Sequence, residues 1–558
     1  MDLDHRPSDY GSKKDTKGEK IAGGRYVKPS RPSRPKDPPP NDGSPAPSRS
    51  ESRPNTLPAD VRKRDAVVDA FKHAWSAYER DAMGSDEYHP ISHRGSNLSY
   101  SGGIGYTVVD ALDTMLLMGL DAEYERAKKW VAQELSFDHS GYFSTFETTI
   151  RVLGGLLSAH YLTGDKLYLQ HAADLGDRML GVFDTPSGLP VGSVNLGGRS
   201  HSGGGSFSVA EATTLQLEFR YLAEVTGRTA FWHKAEKVMQ VVNKARLPSG
   251  LAPIDMDGKG EFVRSRIGMG SNGDSYYEYL LKQYIQTNRT EPVYLQMYTD
   301  AMQGVHDYMV WKTPTEHLTY IAELQPLPGK DDWKATDAWV SQPKQEHLAC
   351  FLAGSLMLGA TTAHLRDPAT AASRPPHMSE LSATGQRDWE TGVAFLEACM
   401  DTQKTATGLS PEGVHFRTPA DPKGEHDWYI KGSKESTTPP YDARYMLRPE
   451  ISESVFLAYR LTGDPRYRTY AWDIFSAIER HCRLPEGGYA TVLDVDELPV
   501  RYLDKQETFF LSETLKYLFL TFADEKVLNL NEVVFNTEAH PLPIFKPSIQ
   551  PLFTKYSS

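Results

Sequence analysis

The 558-residue chain predicts an all-α fold, a closed ring of seven helical hairpins or (α/α)7 barrel. Three observations lead there. Apolar residues recur at three- and four-residue spacings from about residue 65 onward, and long alternating β-branched runs are scarce. One helix ending recurs: AHYLTGDKLYL (159–169), RYLAEVTGRTAFW (220–232) and AYRLTGDPRYRTYAW (458–472) each carry an aromatic, then Thr-Gly, then another aromatic. Several helix openings with an acid fall about 63 residues apart, with one shorter interval and two swollen by insertions, and a recurring period of this length marks a repeat architecture.

The chain's ends differ from its middle. Residues 1–64 are rich in Pro, Ser, Lys and Arg, with a net charge of +6, and cannot bury enough apolar area to offset their ordering entropy. They read as a disordered stem, followed by the (α/α)7 domain over 65–545 and a tail over 546–558. The whole chain has a net charge of −12, so the remainder stands at −18, which argues against nucleic acid as the main partner. A basic stem could touch anionic lipid, but a solvated tail is the plainer reading.

Compartment signals conflict. The N-terminus has no apolar core of a signal peptide, and no stretch approaches the roughly 18 residues of a membrane span. Two sequons, at Asn97 and Asn288, point instead to the secretory route. Three cysteines are too few for a disulfide scaffold.

Within the repeat, Gly fits the left-handed position that closes a helix, and the next aromatic starts its successor. Upstream of the joints, helices open at Glu147, Glu211 and Glu450. Others open at Asp110 and Asp113, Asp274, Glu346 with His347, and Glu513. For any one acid the plain alternative is a cap on the helix dipole. Seven parallel inner helices, however, would bring all these acids to one mouth. Their mutual repulsion raises some pKa values and makes a cation welcome.

The chain carries no HExxH, Gly-x-Ser-x-Gly or phosphate-loop motif. The Gly-rich 197–208 segment lacks the Lys and following helix of a phosphate cradle and reads as a mobile loop. Carboxylates with aromatics, Arg and His remain, the chemistry of glycoside hydrolysis.

The segments LDTMLLMGL, FETTIRVLGGLLSA, AEATTLQLEF, DSYYEYLLK, HLACF, LRPEISES, ETFFLSETLKYLFL and VFNTEAHPLPIF, in this order, resemble glycoside hydrolase family 47, the class I α1,2-mannosidases. The resemblance implies an inverting, calcium-dependent hydrolase of terminal α1,2-linked mannose on high-mannose N-glycans. It implies a barrel plugged by a C-terminal β-hairpin at VVFNTEAH. A glycan-binding quality-control factor of the same fold with little activity is the alternative.

By the same resemblance Glu450 is the base, and Glu147 or Asp274 delivers the proton. Arg151, Asn272, His347, Arg448 and Phe509 line sugar subsites, although Arg151 could merely neutralise Glu147 and Phe509 could be core. Thr537 binds Ca2+ directly, and Glu211, Glu450, Glu453, Glu513 and Glu538 bind it through water. Asn272 stands where reticulum-type members carry Arg and Golgi-type members a smaller or apolar residue. Cys350 and Cys399 match the family's disulfide pair, leaving Cys482 as a buried thiol. The implied setting is the endoplasmic reticulum or Golgi, with an N-terminal membrane anchor expected ahead of the stem and missing from this chain.

Overall fold

A computed structural model describes residues 56–202, 205–247, 249–330, 332–432 and 438–554. Helix α1 (Val61–Ala82) comes first in the chain but is the last outer helix of the ring. The first hairpin is α2 (Tyr106–Met118) with α3 (Asp121–Gln133). The second inner helix begins as α4 (Thr145–Glu147), widens into a π-helical turn at Thr148–Leu153 and continues as α5 (Gly154–Thr163). Its return is α6 (Lys166–Met179).

The third hairpin has α7 (Val209–Thr213) and α8 (Gln216–Thr226) inside and α9 (Thr229–Ala245) outside; the fourth is α10 (Asp274–Gln286) with α11 (Pro292–Tyr308). In the fifth, a 3-10 turn at His347–Cys350 leads into α12 (Phe351–Thr362), and α13 (Ala383–Asp401) returns. The sixth is α14 (Glu450–Thr462) with α15 (Pro465–His481). A second π-helical turn, Phe510–Thr514, leads into α16 (Leu515–Phe522), whose outer partner is α1. Each inner helix packs on the next, and α16 with its π turn meets α2, so the ring closes at seven.

Burial separates the two layers. Every residue of α10 after Asp274 is buried, as expected of a helix walled on all sides. Outer α6 buries one stripe, Tyr168, Ala172, Leu175, Gly176 and Met179, and leaves its other residues partly or fully exposed. The recurring joints work as their sequence predicts: Gly164, Gly227 and Gly463 have φ of 71°, 70° and 66°, a region that penalises a Cβ. In two of the joints the next residue caps the outer helix, Asp165 accepting from the Leu167 N–H at 2.9 Å and Asp464 from that of Arg466 at 3.0 Å.

A β-hairpin, Val533–Phe535 against Pro541–Pro543, enters the ring between the inner helices, touching α5 and α10. Its tip passes so close to α5 that a Cβ on Gly154 would lie 2.6 Å from Asn536 Nδ2. Gly154 is therefore a clearance for the plug, as Gly155 is for the Val109 carbonyl of α2, and Gly154→Ala would cost about 1–3 kcal/mol in overpacking.

Three boundaries shift from the sequence reading. The stem expected over 1–64 lies outside the described residues as far as residue 55, but Val61–Arg64 are the first turn of α1, with Asp60 accepting from the Lys63 N–H at 3.3 Å. Leu57 is already buried. The tail expected over 546–558 is part of the body as far as residue 554: Ile549 and Phe553 are buried, and Glu236 accepts from the Leu552 and Phe553 N–H groups at 2.8 and 2.6 Å. The 197–208 segment is built into two small sheets through Ser200–Ser202 and Ser206–Ser208 rather than forming one loop. Its residues 203–204 lie outside the described residues.

Cys350 and Cys399 form a disulfide, tying the start of α12 to the end of α13. Cys482 is a buried free thiol.

Candidate active site

Six of the seven inner helix starts converge on one cavity of about 250 Å³. Glu147, Glu211, Asp274 and Glu450 line it from the second, third, fourth and sixth hairpins, and Leu348 represents the fifth. Phe509 and Glu513 come from the seventh, and Thr537 and Glu538 from the hairpin plug. Arg151, Asn272 and Arg448 complete the predicted residues found there.

The acids are not merely caps. Ser144 and Ser208 accept from the backbone N–H of Glu147 and Glu211 at 3.2 and 3.3 Å, the N-cap role in a Ser-x-x-Glu spacing. The Glu147 carboxylate turns instead to Arg151, whose Nε donates at 2.7 Å. Both π-helical turns carry cavity residues, Arg151 in one and Glu513 in the other, and such turns recur at functional sites.

Six carboxylates face two guanidinium groups in this lining. Burial pushes Asp274 up to about 7, with Glu278 and Glu346 adding repulsion. Burial likewise takes Glu450 to about 7 against the attraction of Arg448. Glu513 rises well above the ordinary range through burial and the charges of Glu538, Glu450 and Glu453, and burial raises Glu538 although Arg151 opposes it. Burial and Glu147 raise Glu211. The Phe509 ring lies between Arg151 and Arg448, whose guanidinium carbons stand 5.6 and 5.4 Å from its centroid. It is a cavity wall held by two cations.

Two predicted residues lie behind the wall. His347 does not line the cavity; it is buried 3.6 Å behind Glu450 Oε2, where burial and Arg448 press it down to about 3 and keep it neutral. Glu453, one turn past Glu450 and pointing below the lining, faces Lys282 at 3.5 Å, and burial raises it to about 7. Both displacements follow from helix geometry: a residue three positions along a helix, or on a turn leading into one, covers a different patch of wall.

Several participants escaped the sequence reading, and Asp110 and Asp113, expected there as helix openings, have another role. Asp86 accepts from the backbone N–H groups of Ile104, Gly105 and Tyr106 at 2.8, 2.9 and 3.2 Å, so it caps α2. Asp110 and Asp113, which open no helix, lie inside α2 and grip His540, while Lys516 pairs with Asp113 at 2.8 Å. Against their own burial, His540 and Arg151 hold Asp110 low, and Lys516 and His540 hold Asp113 at about 2. Glu412 fixes Arg448, whose Nε donates to both its oxygens at 3.2 Å. Only the ordered TEAH run gave a signal for His540; the others join elements far apart in the chain.

The lining suits a hard divalent cation: its donors are all oxygen, and its acids exceed its cations. Among the described residues no three acids, His or Cys converge to hold a metal by themselves. An ion here would need Thr537 and intervening water.

Opposed carboxylates in a pocket walled by guanidinium and aromatic groups define a sugar-cleaving enzyme, a glycosyl hydrolase. The chain belongs to glycosyl hydrolase family 47, whose sequence profile matches residues 70–544. It is 39% identical over 518 residues to mannosyl-oligosaccharide 1,2-alpha-mannosidase MNS3 of Arabidopsis thaliana, covering 88% of this chain and 80% of that protein. It is 39% identical over 495 residues to the endoplasmic reticulum mannosyl-oligosaccharide 1,2-alpha-mannosidase of Homo sapiens, covering 87% of this chain and 64% of that protein. The solved α-1,2-mannosidase of Trichoderma reesei superposes with a TM-score of 0.75 at 27% identity, covering 87% of this chain and all of that one.

Proposed function

We propose that the chain removes terminal α1,2-linked mannose from high-mannose N-glycans, with inversion and with calcium. The observation that carries this reading is the placement of Glu147 and Glu450. They stand on the second and sixth hairpins, three places apart in a ring of seven and so on facing walls of one cavity. An inverting hydrolase needs its acid and base about 6.5–9.5 Å apart with a water between them.

Glu450 takes the proton from the attacking water. Asp274, lifted to about 7, stays protonated close to neutral pH and can give a proton to the leaving oxygen. Glu147 is the other donor in reach, and Arg151 orients its carboxyl. Neutral His347 behind Glu450 does not compete for the proton. Arg448, braced by Glu412, and Phe509 hold the sugar, and Asn272 sits exposed at the rim, where it meets the rest of the glycan.

Thr537 would hold calcium directly, with Glu211, Glu450, Glu513 and Glu538 reaching it through water; Glu453, expected in the same role, would act only from behind the wall, where it faces Lys282. When bound, calcium neutralises the acid surplus and offers oxygen coordination to vicinal sugar hydroxyls. The Cys350–Cys399 disulfide supports an oxidising, secretory compartment.

Incubation with a nine-mannose N-glycan tests the proposal. Mannose is released in calcium, release stops in a chelator, and it returns when calcium is restored. No release in calcium would overturn the reading.

A further inference from the structure

The hairpin tip that carries Thr537 is anchored by a fully buried ring. His540 Nδ1 lies 2.7 Å from Asp113 Oδ2 and Nε2 lies 3.0 Å from Asp110 Oδ1. An ionised carboxylate can only accept a hydrogen bond, so both ring nitrogens donate and the ring carries a positive charge. Asp113 also accepts from the Ser158 hydroxyl at 2.8 Å and pairs with Lys516, whose Nζ donates to the Ala539 carbonyl at 2.7 Å. Asp110 also accepts from the Ser512 hydroxyl at 3.2 Å and faces Arg151 Nη1 at 3.6 Å. Arg151 in turn donates to Glu147 and Glu538.

The result is a line of alternating charge: Lys516, Asp113, His540, Asp110, Arg151, Glu147. It runs from the last inner helix, through the first and the plug, to a carboxyl at the cavity. Neutral bonds fix the same tip. Asn536 Oδ1 accepts from the Glu538 and His540 N–H groups at 3.0 and 2.8 Å, and the Thr537 N–H donates to Tyr279 at 3.3 Å. These bonds shape the turn; Glu538 ties it directly to Arg151 and meets Asp110, and His540 adds the clamp on both Asp110 and Asp113 of α2.

We propose that His540 is a positioning residue: clamped between Asp110 and Asp113, it sets the place of Thr537 and Glu538 relative to Arg151 and so preorganises the cation site. The proposal rests on the reading that Thr537 holds calcium. A group that orients a metal ligand from behind typically controls affinity about 10- to 100-fold.

The test is a calcium-binding isotherm by calorimetry on the metal-stripped full chain, for the parent, His540→Gln, Thr537→Val and the double variant. His540→Gln weakens calcium binding about 10- to 100-fold with near-native circular dichroism. In the Thr537→Val background it adds little, because it acts through that residue. Parent-like affinity in His540→Gln, or losses that multiply fully in the double variant, would overturn the inference. A parent that binds no calcium would instead remove the reading beneath it. Should His540→Gln fail to fold, Asp110→Asn decides: it leaves the His540–Asp113 bond in place, and it should lower calcium affinity by a smaller factor. Unchanged affinity in a folded Asp110→Asn would then overturn the inference.

Discussion

Replacing Glu450 by Gln should make the metal-free protein more stable at neutral pH while removing the proposed base. Glu450 is 8% exposed, and burial raises its carboxyl from 4.5 to about 7 even with Arg448 beside it. In the unfolded chain the group titrates near 4.5. Between those values the folded protein keeps a proton that the unfolded chain has released, so stability falls as pH rises through the window. Each tenfold difference in proton affinity is worth about 1.4 kcal/mol, so the gap amounts to about 3 kcal/mol by pH 7.5. Gln, neutral and of the same shape as the protonated acid, escapes that cost. Urea unfolding in a chelator should give nearly equal midpoints for parent and variant at pH 4.5. At pH 7.5 the variant should be more stable by about 3 kcal/mol. The comparison cancels the titrations of groups that Glu450 does not touch. Saturating calcium should shrink the advantage, since a cation in the cavity favours ionised Glu450. A variant no more stable than the parent at pH 7.5, or equally favoured at both pH values, would refute the reasoning.

Replacing both Cys350 and Cys399 by Ser opens a loop spanning 49 residues of sequence and should cost about 4 kcal/mol, read as a lowered urea midpoint with folded-state turnover kept. Asp86→Ala strips three backbone N–H groups at the start of α2 of their acceptor and should cost about 3 kcal/mol; an unchanged midpoint would show that water replaces it. Phe509→Ala removes the ring between Arg151 and Arg448 and should raise KM for the glycan about tenfold, in line with roughly 1–2 kcal/mol for a desolvated cation–π contact. Asp274→Asn should lower kcat by about 10²–10⁴ with KM little changed, as loss of a proton carrier would.

The parts of this fold that sequence shows are those with local causes. Thr-Gly joints need a left-handed residue at one place, and they announced the helix ends at Gly164, Gly227 and Gly463. Period and acid placement then gave the ring and most of its mouth. What stayed hidden joins distant segments: Asp113 meets His540 across 427 residues, and Glu453 meets Lys282 on another hairpin. Neither pair has a spacing that a sequence pattern could flag. The boundaries failed for a different reason. The VRKR start of α1 looks like the basic stem before it, because its helix is specified by the Asp60 cap and the apolar stripe from Val67 to Tyr78. Phe553 and Ile549 sit in a Pro-interrupted stretch without periodicity, so packing alone assigns them to the body.

The most direct test of the account is the anomeric form of the first mannose released from an α1,2-linked mannobiose, followed by proton NMR before mutarotation. Glu147 and Glu450 on facing walls of the cavity, acting as acid and base on an attacking water, predict β-mannose first. α-Mannose as the first product would contradict it.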